Sequence, residues 1–258
     1  MSTEYIWFKK GKESKRTADP EGKLPTVENL PNGRTATYTY NNLIIVSKHI
    51  KKGGEYDGGN DPAISQYDRN GNLLKEQYVK DDYHHRDGGK PAIIGYNIST
   101  GKPFLEEYYI DGKRHRENDK PAVVEDYASS GKHEVWWFKG TMHRDGDKPA
   151  DISTNNKGVV TQETWYVDNK QHREGDKPSE LRYWDNGNLK VETYTIHDGM
   201  LHRDGDKPAQ IMYNENGDKQ ESRYYEVGNR IKVVEHTKKD LTKSQKDFNE
   251  ISDLLRDN

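Results

Sequence analysis

The chain contains no cysteine, which excludes disulfide cross-links and thiolate chemistry, although that absence does not choose a compartment. Long apolar runs are also missing. Ile6, Trp7 and Phe8 are the only apolar run near the N-terminus, too short for a signal peptide, and no stretch is long enough to span a bilayer. These absences predict a soluble cytoplasmic protein with no membrane partner.

Aliphatic side chains are scarce. Phe, Ile, Leu and Val supply 43 of 258 residues, whereas charged residues supply 33%, a balance that leans toward disorder. Two features oppose that reading. The net charge is only −3, so self-repulsion is weak, and 17 Tyr with 5 Trp is rich for a disordered chain. A thin fold reconciles the two: a single-layer sheet, wet over much of its surface, needs few aliphatics and can use Tyr and Trp as broad amphipathic plates. Lys and Arg are interleaved with acids throughout, so the concentrated basic face that nucleic acid needs is not expected.

What the chain does have is internal repetition. HRDGDKPA occurs twice unchanged, at 143–150 and 202–209, with variants HRDGGKPA from His85, HRENDKPA from His115 and HREGDKPS from His172, and a worn DGGNDPA at 57–63. Pro62, Pro91, Pro121, Pro149, Pro178 and Pro208 follow one another at intervals of 29, 30, 28, 29 and 30 residues. Nine or ten residues after each proline comes a glycine, as in Asn70-Gly71, Asn186-Gly187 and Asn216-Gly217. Next comes Glu, any residue, and an aromatic: Glu76 and Tyr78, Glu106 and Tyr108, Glu134 and Trp136, Glu163 and Trp165, Glu192 and Tyr194. The next motif histidine lies seven residues beyond the aromatic, or eight beyond Tyr194. Three regions result: degenerate copies over 1–61, regular repeats over 62–236, and a different tail over 237–258.

After each proline the odd offsets carry the bulk, as in Ala92, Ile94 and Tyr96 or Ala209, Ile211 and Tyr213. A period of two is a strand with one buried face. Proline fits at a strand's start, and Asn-Gly between alternating runs is a hairpin signal. Each repeat is therefore expected to be one β-hairpin, with the stretch through His-Arg and Asp-Gly making the return. Lone hairpins are marginal, so neighbours must pair edge to edge. In the tail, Leu241, Phe248, Ile251 and Leu255 fit a helix face, with Ser244 and Asp247 as a candidate capping pair. The expected fold is all-β: an elongated single-layer antiparallel β-meander of stacked hairpin repeats with a short C-terminal capping helix, the alternative for that helix being partner recruitment.

Two sets of residues are candidate sites. Tyr78, Tyr108, Trp136, Trp165, Tyr194 and Tyr224 either form one aromatic face for a partner or pack between hairpins. The pairs His85-Arg86, His115-Arg116, His143-Arg144, His172-Arg173 and His202-Arg203 invite a metal ladder or an anion strip. Equivalent histidines two strands apart would lie roughly 9.6 Å from one another, too far for one ion with ~2.0 Å bonds, and each repeat supplies one motif histidine. No metal or other cofactor is expected, and the His-Arg pairs are read as structural, with Arg bonding to nearby acids. The Asp-Gly-Asp triplets are read as turns, since calcium needs six to eight oxygens. No phosphate loop or nucleophile elbow stands apart from the repeat. Polar residues that recur five times do not make the single constellation catalysis uses, so no enzyme is expected.

The segments YYIDGKRHRENDKPAVV (108–124) and WWFKGTMHRDGDKPADI (136–152) resemble the divergent MORN-type repeat family of giant viruses, bacteria and phages, which has antitoxin-like relatives. The unit is longer than the standard one and carries the His-Arg/Lys-Pro-Ala block in place of a Gly-rich second strand. The resemblance implies a twisted single-layer meander, a binding or scaffolding role, no catalytic residues, and the host cytoplasm if the source is viral. The expectation is a non-enzymatic interaction module for a protein partner, acting as an inhibitor, immunity factor or host-interaction protein. The rival is a structural or carbohydrate-binding repeat protein of a coat or fibre, and homo-oligomers fit either reading.

Overall fold

The computed structural model describes residues 61–68 and 70–236, together with the backbone of five earlier strands, Ile6–Lys9, Lys12–Lys15, Thr26–Leu30, Gly33–Tyr40 and Leu43–Ile50. Among the described residues every regular element is a strand and none is a helix. The helix expected over 237–258 lies outside the described residues.

The chain forms two compact blocks, Met1–Met142 and His143–Asn258, with the division inside the repeat region. In the first block, Thr26–Leu30, Gly33–Tyr40, Leu43–Ile50, Ile64–Tyr67, Leu73–Gln77, Ile93–Tyr96, Pro103–Glu107, Val123–Tyr127 and Gly131–Val135 pair antiparallel in chain order. The second block does the same with Asp151–Thr154, Val160–Thr164, Glu180–Tyr183, Leu189–Thr193, Gln210–Tyr213, Lys219–Glu226 and Asn229–Glu235. Consecutive hairpins in an antiparallel sheet are thus as the sequence predicts. The register repeats as well: Ile94 faces Glu106, Val124 faces Glu134, Ile152 faces Glu163 and Leu181 faces Glu192.

The Asn-Gly signal has a local mechanism. The Asp68 carboxylate accepts the N–H groups of Asn70 and Asn72 at 2.9 and 2.8 Å, and Gly71 takes the left-handed conformation at φ 83° that closes the loop. The Asn155 and Asn214 side chains repeat this pattern, with N–H···O distances of 2.9 to 3.0 Å.

The return of each repeat departs from the expectation. The second strand of the main hairpin stops just before the aromatic, whose own N–H donates to the carbonyl of the residue after the next proline. The bonds are Tyr78 to Ala92, Tyr108 to Ala122, Trp165 to Ser179 and Tyr194 to Ala209, at 2.7 to 2.8 Å. The chain then makes a second, two-residue hairpin outside the main sheet: Val79–Lys80 with Tyr83–His84, Tyr109–Ile110 with Lys113–Arg114, Trp137–Phe138 with Thr141–Met142, and Tyr166–Val167 with Lys170–Gln171. Their turns place both central residues at positive φ, as in Asp111 (47°) with Gly112 (74°), the twist that suits a two-residue connection. Each repeat therefore holds two hairpins where the sequence predicts one. In the last repeat no further proline block follows, and Lys219–Glu226 runs straight through Tyr224 to pair with Asn229–Glu235.

The residue after each proline is the tightest point in the fold. Ala63, Ala92, Ala122, Ala150, Ser179 and Ala209 have no exposed surface at all. Tyr78, Ala92 and Ile94 pack together, with Tyr96 and Tyr109 against them. Enlarging such a site forces neighbours off their rotamers. Ala92→Leu is expected to destabilise by about 1–3 kcal/mol, read as a lower urea midpoint with an unchanged slope, whereas Ile98→Leu on the exposed turn should leave the midpoint where it is.

Candidate interaction surface

Five of the six aromatics expected to face a partner are interior: Tyr78, Tyr108, Trp136, Trp165 and Tyr194 are 5 to 8% exposed. Tyr224, in the last repeat, is half-buried. Once the second strand ends at the aromatic, the return segment folds back over its ring, so the ring serves packing and presents no face.

The cover is the motif arginine eight or nine residues later. Its guanidinium carbon lies 3.5 Å above the Tyr78 ring for Arg86, 3.6 Å above Tyr108 for Arg116, 3.9 Å above Trp165 for Arg173 and 3.7 Å above Tyr194 for Arg203. Three of these arginines, Arg86, Arg116 and Arg173, and also Arg144, donate to the carbonyl of the proline five residues on, at 3.2 to 3.4 Å. An always-charged planar group is thus satisfied at its edge by a carbonyl and at its face by a ring. The tryptophans add their own tie, Trp136 Nε1 donating to the Asp119 carbonyl and Trp165 Nε1 to that of Asp147, both at 3.1 Å.

The motif histidines are latches. Nε2 of His85, His115, His143 and His202 lies 2.9 to 3.1 Å from the carboxylate two residues on. Nδ1 of His85 and His115 accepts an N–H from the next repeat's short turn, that of Asp111 at 3.1 Å and Lys139 at 3.4 Å. Acids clamp adjacent repeats in the second block. Asp147 takes Arg173 at 2.7 and 3.1 Å and Lys177 at 2.7 Å, and Asp176 takes Arg203 at 2.6 and 3.2 Å and Lys207 at 2.6 Å. These hydrogen bonds hold both carboxyls well below the usual 3.8. The recurrent glutamates gather phenols: Glu76 accepts from Tyr96 at 2.7 Å and Tyr78 at 3.4 Å, and Glu163 accepts from Tyr183 at 2.7 Å. Burial first, and glutamate second, pushes Tyr108, Tyr194 and Tyr213 up to about 12.

With the aromatics inside, the exposed apolar side chains include residues of the short hairpins, beside Ile98 and Tyr127 at main-hairpin ends and Ile231 and Val233 on the last strand. In the first block, Tyr83, Ile110 and Phe138 are 60, 38 and 48% exposed. Ile110 and Phe138 hold the same place, two residues after Tyr108 and Trp136. Each short turn docks on the hairpin before it, Gly112 N–H donating to the His84 carbonyl at 3.0 Å and Gly140 N–H to that of Arg114 at 2.8 Å. Tyr83 lies so close over Gly112 that a β-carbon there would meet its ring at 2.7 Å. These side chains therefore stand on successive docked hairpins and make one apolar row. The sequence signal for Ile110 and Phe138 was the second position after the aromatic, which holds Ile110, Phe138, Val167 and Ile196, but Lys80 after Tyr78.

Fold and site together define a repeat protein of β-hairpins, in which His-Arg segments tie neighbouring repeats together within each block. No family model matches the chain, and no curated protein is significantly similar to it.

The clamps set the pH response. A depressed carboxyl contributes stability that is complete above 3.8 and lost as pH falls below it, whereas a raised phenol contributes stability that is complete below 10.0 and lost as pH rises toward about 12. Melting temperature should therefore be flat at neutral pH and fall on both flanks. Asp147→Asn should shrink the acid-side fall only, and by a modest amount that salt reduces further, since the pair is solvent-accessible. In a separate test, Arg116→Ala should lower stability by about 1 kcal/mol at neutral pH, with Arg116→Lys recovering only part, as measured by urea unfolding.

Proposed function

We propose that the protein is a non-enzymatic interaction module that binds a protein partner, as an inhibitor, an immunity or antitoxin-like factor, or a host-interaction protein does. The observation that carries this is the exposure of Tyr83, Ile110 and Phe138 on successive docked hairpins, with Ile110 and Phe138 at the same position of their repeats. Surface aromatics and aliphatics in register are what the centre of a protein interface uses. The hydrogen bonds and ring contacts that most motif histidines and arginines make inside the repeat, with Arg86 Nε and His143 Nδ1 left over, support a scaffolding role for them, and the resemblance to MORN-type repeats points the same way.

The test is affinity capture from the native host with the intact chain and with Ile110→Lys/Phe138→Asp. Both side chains are exposed, so the variant should keep its melting temperature. The expected result is one stoichiometric protein that the intact chain retains and the variant loses, with affinity down by roughly tenfold or more. Capture that is equal with both chains, or self-association of the intact chain into large particles in light scattering without any partner, would contradict the reading and favour a coat or fibre role.

A further inference from the structure

The repeat that begins at Pro178 departs from its neighbours just after its aromatic. Tyr194 is followed by Thr195, where the others have Val79, Tyr109, Trp137 and Tyr166, and one extra residue separates it from His202. The usual two-residue turn gives way to a three-residue turn, His197-Asp198-Gly199. Ile196 N–H to the Met200 carbonyl at 3.0 Å and Gly199 N–H to the Ile196 carbonyl at 2.8 Å close it. The ladder shrinks to one bridge, Thr195 with Leu201.

The insertion changes what faces the motif histidine of the preceding repeat. His85, His115 and His202 each have a turn N–H at Nδ1, from Asp111, Lys139 and Val227 at 3.1, 3.4 and 3.4 Å, so Nε2 can carry the proton and donate to its acid. His202 has the Tyr225 carbonyl at 3.2 Å as well. At His172 the described partner of Nδ1 is the Thr195 carbonyl at 3.2 Å, which only accepts. The proton of a neutral ring therefore sits on Nδ1, and Nε2 presents a lone pair. That lone pair faces Glu174 Oε1 at 3.4 Å, where His85, His115, His143 and His202 sit 2.9 to 3.1 Å from their acids. A cation between them, a proton or a metal ion, would satisfy both groups.

A third donor stands beside it. His115 has the Phe138 ring of the next repeat packed edge-on at 5.2 Å; His172 has, at the same 5.2 Å and the same edge-on angle, the imidazole of His197. We propose that His172, Glu174 and His197 form a binding site for one divalent transition metal, zinc first. One ligand atom from each residue lies within 4.8 Å of the other two. A tetrahedral zinc with bonds of 2.0–2.1 Å asks for separations of about 3.4 Å, which Nε2 of His172 and Oε1 of Glu174 already have. His197, exposed at the turn, has the remaining distance to close by side-chain rotation.

The surroundings suit a metal. The Thr195 carbonyl orients the His172 ring from behind, as such partners do for zinc-bound histidines, and the Thr195 hydroxyl is itself tied to the Gln171 carbonyl at 2.6 Å and Ser179 Oγ at 2.9 Å. Nearby cations are already engaged by carboxylates, Arg173 and Lys177 by Asp147 and Arg203 with Lys207 by Asp176. A cleft of about 250 Å³ beside both histidines leaves the fourth position open to water or to a partner's side chain. Two imidazoles and a carboxylate with one open position is a donor set that zinc, nickel and copper(II) accept. Because His172 and His197 belong to successive repeats, the ion would staple them together.

The test is isothermal titration of zinc chloride into the full chain, paired with thermal melts. The expected result is one saturable equivalent with micromolar or tighter affinity and a raised melting temperature. His197→Ala changes an exposed turn residue and should leave circular dichroism intact while weakening zinc by roughly tenfold or more and removing the thermal shift; Glu174→Gln should weaken it similarly. Cobalt(II) should give tetrahedral visible absorption with the intact chain and not with His197→Ala. Absence of saturable zinc binding, or binding that His197→Ala leaves unchanged, overturns the proposal.

Discussion

The structure depends on one backbone hand-over. At the end of four main hairpins the aromatic, Tyr78, Tyr108, Trp165 or Tyr194, gives its N–H to the carbonyl of a fully buried Ala or Ser in the repeat that follows. A hairpin alone is marginal in water, and this bond ties each of these hairpins to the next. The hand-over works only if the receiving residue is small enough to vanish into the contact, so alanine recurs there and serine appears once. Ser179 proves the rule, because its hydroxyl donates to the Thr193 carbonyl at 3.2 Å and so enters the interior satisfied. Where no receiving repeat exists, after Tyr224, the strand simply continues.

The residues that recur most faithfully are the ones this hand-over needs. Arginine roofs the aromatic, histidine latches the next turn, and glutamate collects the phenols. A strip of five identical His-Arg pairs looks like a ladder of sites in the sequence, but in space Arg86, Arg116, Arg173 and Arg203 each roof an aromatic and His85 and His115 each hold the next repeat's turn. Individual character lies in positions the joint leaves alone: the second residue after the aromatic, exposed as Ile110 and Phe138, and the insertion that brings His197 to His172. In a repeat array, what varies against a fixed frame is where recognition has room to differ.

Much of this was legible in the sequence. Proline spacing gave the repeat, alternation after each proline gave the strand, and Asn-Gly gave the turn. The second hairpin was not legible, because strands of two residues have no period to read. The burial of Tyr78 and its counterparts was one of two readings left open for a related reason: apolar alternation cannot tell an aromatic at a strand's end from one on its face. The constant interval from aromatic to arginine held that information, since a cation at fixed spacing from a ring is what a stacked pair requires. The extra residue before His202 was visible as an interval of eight against seven, yet its consequence depended on a carbonyl replacing an N–H, which only coordinates reveal.

Amide hydrogen exchange measured residue by residue on the intact chain tests the hand-over most directly. The account predicts that the amides of Tyr78, Tyr108, Trp165 and Tyr194 exchange in the slowest class, together with those of Ala92, Ala122, Ser179 and Ala209, and more slowly than the amides of the short hairpins. If the aromatic amides exchanged as fast as those of the exposed turns, the repeats would not be joined in this way and the account would fail.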